Sequence, residues 1–139
     1  MSSVSAVFVN KRSEISRIAE LAEQFGGEHH LSDDDVMAIN LVLDELVANI
    51  IENAYEDTRE HEIHVTLRLE GTELTVRVDD DGRPFDPLQA PPPNLDLPLE
   101  ERPVGGLGIH LVRSVMDRVE YERREGHNIL TMHKTIGRT

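Results

Sequence analysis

The chain has no cysteine. Disulfides, a thiolate nucleophile and sulfur-ligated zinc are therefore excluded together, while the compartment stays open on that count. Basic residues are scarce, 14 Lys and Arg against 27 Asp and Glu, for a formal net charge of −13. A surface of that sign repels phosphate backbones, so direct nucleic-acid binding is not expected. A basic protein partner or a metal-neutralised ligand suits it better. No apolar run approaches the roughly 20 residues needed to span a bilayer. Residues 1–10 carry no basic stretch ahead of an apolar core, so neither a membrane span nor a signal peptide is expected. Aromatic residues make up only 4% and charged ones 29%, a balance that leans toward disorder unless periodic segments oppose it. They do. The 139 residues fit one ordinary domain of roughly 150 residues, and the expectation is a single cytoplasmic domain over 1–139.

Residues 4–9 form a short β-prone run. Ser13 is placed to cap a helix whose inward positions are Ile15, Ile18, Leu21, Ala22 and Phe25, with Gly26-Gly27 as its stop. Ser32 opens the longest helix as a capping-box variant, with Asp33, Asp34 and Asp35 at the positive end of the dipole. Val36, Ile39, Leu43, Leu46 and Ile50 are its core stripe. A hairpin follows, with Ile63, Val65, Leu67 and Leu69 on one face of its first strand and Leu74, Val76 and Val78 on one face of the second. All 7 prolines lie from Pro84 to Pro103, so irregular backbone is expected there. A loop of that length in a small domain is a ligand lid or a surface insertion. Ile109, Leu111, Val112, Val115 and Met116 give a third helical pattern. Val119-Glu120-Tyr121 and Ile129-Leu130-Thr131-Met132 make a final hairpin around residues 125–128. The fold class expected is α+β: a two-layer sandwich with a mixed, mainly antiparallel sheet and helices on one face.

Three segments carry polar groups suited to a nucleotide. On the long helix, Glu45, Asn49 and Asn53 recur every four residues, each about 40° from the last, along the margin of the Leu46 stripe. A carboxylate and two amides there supply hard oxygens for magnesium and a proton acceptor, or simply a polar helix edge. Asp80-Asp81-Gly82-Arg83-Pro84-Phe85-Asp86 follows a strand. A carboxylate at a strand end can accept from the exocyclic amine of adenine, and Gly82 allows close approach of a flat ligand; an acidic turn is the alternative. Gly105-Gly106-Leu107-Gly108 opens a helix, where converging backbone amides welcome an anion. The Rossmann and P-loop patterns are both missing. His61-x-x-His64 sits at a strand start, on opposite faces at that spacing, so no shared metal is expected.

In this order the three segments resemble the Bergerat nucleotide-binding fold of gyrase-type ATPases, histidine kinases and anti-sigma-factor serine/threonine kinases. The short chain, Asp80-x-Gly82-x-Pro84-Phe85-Asp86-Pro87 and Gly105-Gly106-Leu107-Gly108-Ile109-His110-Leu111-Val112-Arg113 are most similar to the anti-sigma kinases. The resemblance implies ATP and Mg²⁺, with Glu45 as the catalytic carboxylate and Asn49 as the metal ligand. It implies Asp80 as the adenine-recognising aspartate, Gly82 beside the base, and Gly106, Leu107 and Gly108 in the phosphate turn. Thr131 would sit near the adenine, Asn53 one turn beyond the metal ligand, and residues 87–104 would form a lid, with Arg102 near its end. It further implies transfer of the γ-phosphoryl group to a small anti-anti-sigma (STAS-type) protein, sequestration of a sigma factor, and homodimers that could pair through residues 4–9, a monomer fitting equally. An ATP-binding interaction module without transfer is the alternative. Histidine-kinase-like phosphotransfer is disfavoured, since no helix with a phospho-accepting histidine is seen ahead of the domain.

Overall fold

Alternation of apolar and polar residues builds the sheet of this protein. In β2 (Glu62–Glu70) it buries Ile63, Val65, Leu67 and Leu69, and in β3 (Glu73–Asp80) it buries Leu74, Val76, Val78 and, unusually, Asp80. The structure is a computed structural model that describes residues 2–84 and 106–136, of which 106–109 are described by backbone alone. The remaining elements are β1 (Ser2–Val9), a 3-10 turn (Arg12–Glu14), α1 (Ser16–His29), α2 (Asp33–Asn53), α3 (Gly106–Val115), β4 (Arg118–Arg124) and β5 (His127–Thr135). The expected lid at 87–104, with Arg102 and Gly105, lies outside the described residues.

The sheet order is β1-β2-β3-β5-β4, and every neighbouring pair is antiparallel. The mixed pairing allowed for in the sequence is thus not found among the described strands: β4 takes the edge and β5 returns through a hairpin to lie against β3. Positive φ at Gly71, and at Glu125 and Gly126, closes the two hairpins with the left-handed backbone that matches strand twist. The helices cover one face. Ile18, Ala22 and Phe25 of α1, five residues of α2 (Ile39, Val42, Leu43, Leu46, Val47) and Val112 of α3 join the buried strand residues in one core, each large side chain worth about 1.5–3 kcal/mol of burial. The α2 stripe is centred nearer Val42 and Val47 than expected, for Val36 and Ile50 are only half-buried. Leu111, expected inward, is exposed. Among the described residues no helix is long and apolar enough to cross a membrane.

Two helix boundaries differ from the sequence reading. Ser13 lies in the 3-10 turn and caps nothing; the residue before α1 is Ile15, with no side-chain cap. Gly26-Gly27 do not stop α1, which runs on to His29 and ends on His30 in the left-handed conformation (φ 56°). Gly26 is there for packing. It is buried, and a Cβ on it would overlap Cγ2 of Val36 in α2, so the glycine lets α1 and α2 approach. Gly27 has open space at the same point. The neighbours should therefore respond with opposite sign. Gly26→Ala overpacks a contact whose partner is a stiff β-branched side chain and should lower stability by about 1–3 kcal/mol. Gly27→Ala should raise it by up to about 1 kcal/mol through helix propensity. Thermal melting of the two variants checks this; a stabilised Gly26→Ala would refute the packing role. Ser32 does cap α2, its hydroxyl accepting from Asp35 N at 3.1 Å.

Candidate functional site

The long helix α2 and the end of β3 meet over a cleft that is partly open to solvent. Leu46, Ile50, Val78 and Leu130 give it apolar walls, and Asn49, Asn53, Asp80 and Asn128 give it polar groups. Few polar atoms set in an apolar pocket suit a ligand that is flat, apolar on its faces and polar at its edge.

Asp80 is held from two sides. Its Oδ1 accepts from Gly82 N at 2.9 Å and from Asn128 Nδ2 at 3.1 Å, while its Oδ2 has no partner among the described residues. Burial pushes its carboxyl above the usual carboxylate range; the bonds from Asn128 and Gly82 pull the other way, and the neighbouring Asp79 and Asp81 add to the rise. Gly82 is needed by space as well as by the turn, for a Cβ there would come within 2.5 Å of Ala54 Cβ and 2.7 Å of Ala54 O. Arg83 N also donates to Ala54 O at 2.9 Å, tying the turn after β3 to the end of α2.

Asn128 escaped the sequence reading. Its amide nitrogen donates to Asp80 Oδ1 and to Arg83 O (2.8 Å), and its oxygen accepts from Tyr121 Oη at 2.6 Å. It faces Asp80 directly in the β3–β5 register. Thr131, expected near the adenine, is not in the cleft: it pairs with Arg77 and Glu120, on the opposite face from Leu130 and Met132. Strand alternation admits Asn128, Leu130 and Met132 inside and so sends Thr131 out.

On α2, Asn49 and Asn53 line the cleft and bond to one another, Asn53 Nδ2 donating to Asn49 Oδ1 at 2.9 Å and to Asn49 O at 3.1 Å. An amide oxygen has two lone pairs, so Asn49 Oδ1 retains one for a hard cation of the Mg²⁺ type. Among the described residues no three His, Asp or Glu side chains are grouped to hold a metal unaided. Glu45, half-buried, stands one turn before Asn49 on the same side of α2. The backbone of Gly106, Leu107 and Gly108 forms the first turn of α3, which packs on α2; the amides of such a turn lack helical partners.

Residues 8–134 match the family model of the histidine kinase-like ATPase domain. The chain belongs to that family. This histidine kinase-like ATPase domain is 36% identical over 94 residues to Serine/threonine-protein kinase BtrW of Bordetella bronchiseptica, the match covering 68% of this chain and 66% of that protein. It is 30% identical over 109 residues to Serine-protein kinase RsbW of Bacillus thuringiensis, covering 76% and 67%. The chain therefore spans about two thirds of the length of these curated relatives. Among solved structures, the RsbU and RsbW domains of a Mycobacterium tuberculosis protein align with a TM-score of 0.71, over 100% of this chain and 34% of that one, at 13% identity. The catalytic domain of histidine kinase ThkA aligns at 0.54, over 98% and 97%, at 20% identity. At such identities the likeness is one of fold, and it agrees with the α+β sandwich expected from the sequence.

Proposed function

We propose that this single cytoplasmic domain is an ATP-dependent serine/threonine protein kinase that modifies a small STAS-type anti-anti-sigma partner and, in the same regulatory circuit, holds a sigma factor. The observation that carries the reading is the pairing of Asp80, fixed through one oxygen by Gly82 and Asn128, with the Asn49–Asn53 amides across one apolar cleft. Kinase names on relatives that share most of this chain's length support it.

Adenine lies between the apolar walls, and its exocyclic amine donates to Asp80 Oδ2. Guanine carries a carbonyl at that position and would set oxygen against oxygen. Asn53 orients Asn49, whose Oδ1 would hold Mg²⁺, and the bound ion supplies charge neutralisation across the phosphates. Amides of the Gly106–Gly108 turn receive phosphate oxygens. In the transfer, the bond from the γ-phosphorus to the β–γ bridging oxygen breaks and one to the serine or threonine oxygen forms. ADP leaves, and Glu45 accepts the hydroxyl proton. A homodimer pairing through β1, which is an edge strand, is part of the proposal.

The first test is thermal. ATP with magnesium at a hundredfold excess over Kd should add about 2.7 kcal/mol of stability, a melting shift of several degrees, and GTP should add little. Equal shifts for both nucleotides would remove the adenine assignment. The second is transfer of label from γ-labelled ATP to a recombinant STAS-domain protein. Tight ATP binding without transfer would leave the interaction module as the better reading.

A further inference from the structure

A histidine outside the cleft is wired to the turn that carries Asp80. The side chain of His61 is 11% exposed and lies between two carboxylates: Nε2 is 2.7 Å from Asp57 Oδ1, and Nδ1 is 3.2 Å from Asp81 Oδ1. Its ring stacks on Tyr55, with centroids 4.1 Å apart and planes at 12°, which fixes the orientation of both nitrogens. Its backbone is fixed too: His61 N donates to Asn10 Oδ1 at 2.8 Å and His61 O accepts from Asn10 N at 3.1 Å. Asp57 is in turn held by Arg59, through the backbone N–H at 3.0 Å and the guanidinium at 3.2 Å. His61 thus bridges the connection after α2 to Asp81, the residue between Asp80 and Gly82.

We propose that His61 is a positioning residue for nucleotide binding: as an imidazolium it clamps Asp81 against the α2–β2 connection and so holds Asp80 and Gly82 in the geometry that receives the base. This rests on the nucleotide-binding reading above. A neutral imidazole has one N–H and can serve only one of its two carboxylates. The shorter contact, to Asp57, keeps the proton. The Nδ1 lone pair then faces Asp81, and the turn loses this brace while keeping those at Arg83 and Gly82, from Ala54 O, Asn128 and the Arg123 guanidinium (2.8 Å to Gly82 O).

The charges around the ring agree on direction. The hydrogen bond to Asp57 raises the His61 pKa most, burial opposes, and Asp81 adds to the rise. Asp80 is the next carboxylate along the turn. The Tyr55 phenol is pushed far up by burial and by Asp80 and Asp81, so it stays neutral. Arg59 is engaged by Asp57, and Arg83 lies 3.7 Å from Glu56. The contribution of the clamp to nucleotide affinity should therefore be full below the raised His61 pKa and fall as pH rises through it.

The test measures Kd for ADP with magnesium from about pH 6 to about pH 9, a span that brackets an ordinary and a raised histidine. Wild type should weaken by about fivefold across it, the low end of ordinary site-to-site coupling. His61→Gln should start weaker and lack that titration, so that comparing the two profiles removes the titration of ADP itself. Linkage demands the reciprocal effect in wild type alone: bound ADP should raise the His61 pKa read by NMR. That measurement decides the matter if the Gln variant fails to fold. Superposed profiles, or a His61 pKa indifferent to ADP, would overturn the clamp while leaving the nucleotide site standing. No ADP binding at any pH would bring down the nucleotide reading and the clamp with it.

Discussion

Asp80→Asn is expected to weaken ATP and ADP binding by about two to three orders of magnitude while the protein stays folded. The carboxylate uses one oxygen for the protein, accepting from Gly82 N and Asn128 Nδ2, and in the proposed binding mode the other accepts from the ligand. An amide can replace only one of these. With its oxygen toward Gly82 and Asn128, its NH₂ meets the adenine amine, donor against donor. Turned around, it confronts two protein donors instead. The first arrangement preserves the turn, so the loss falls on binding. Asp80→Ala differs, because it strips the acceptor from both N–H groups at a cost of about 1–3 kcal/mol for each buried group left unpaired. It should lower the melting temperature as well. Calorimetric titration with ADP and magnesium, beside thermal melts, separates the two variants. An Asp80→Asn protein that binds like wild type would remove Asp80 from base recognition.

The same carboxylate sets an acid limit. Burial raises its pKa, and a proton on Oδ2 turns the acceptor into a donor. Affinity is thus lost as pH falls through the raised Asp80 value, and lost again as pH rises through the raised His61 value. The two protonations therefore act on affinity in opposite directions.

What could be read from the residues was mostly local. The order of strands and helices, the Ser32 cap, the hairpins and the three polar segments each rest on near neighbours in the chain, where spacing and turn chemistry act directly. What escaped was set by contacts distant in sequence. Gly26 resembles a helix stop until Val36 is seen against it. Asn128 resembles a turn residue until β5 is placed beside β3, which brings it opposite Asp80. His61 is one of seven histidines until Asp57 and Asp81 close on its two nitrogens. Thr131 is the exception, since its error was avoidable. Leu130 and Met132 bracket it as the apolar face of one strand, and a period of two already excludes it from the cleft.

Glu45→Gln should lower the turnover of phosphoryl transfer while leaving ATP binding and stability nearly untouched. Glu45 is half-buried and has no hydrogen bond or ion pair among the described residues, so the isosteric amide removes little but the basic oxygen. Changes at such positions usually stay within about 0.5 kcal/mol of stability. General bases contribute about 10²–10⁴ in rate, and the mechanism decides where in that range this one falls. In phosphoryl transfer the bond to the leaving group is largely broken before the incoming hydroxyl is strongly engaged. The hydroxyl therefore stays a weak acid until late, and the base gains less than it would in acyl transfer. The expected loss is about a hundredfold in kcat with KM for ATP unchanged, the signature of an interaction made in the transition state alone. Steady-state transfer to a STAS-domain substrate at saturating ATP measures it. A loss near 10⁴ would mean that Glu45 also orients the hydroxyl for in-line attack, and an unchanged rate would take the proton acceptor away from position 45.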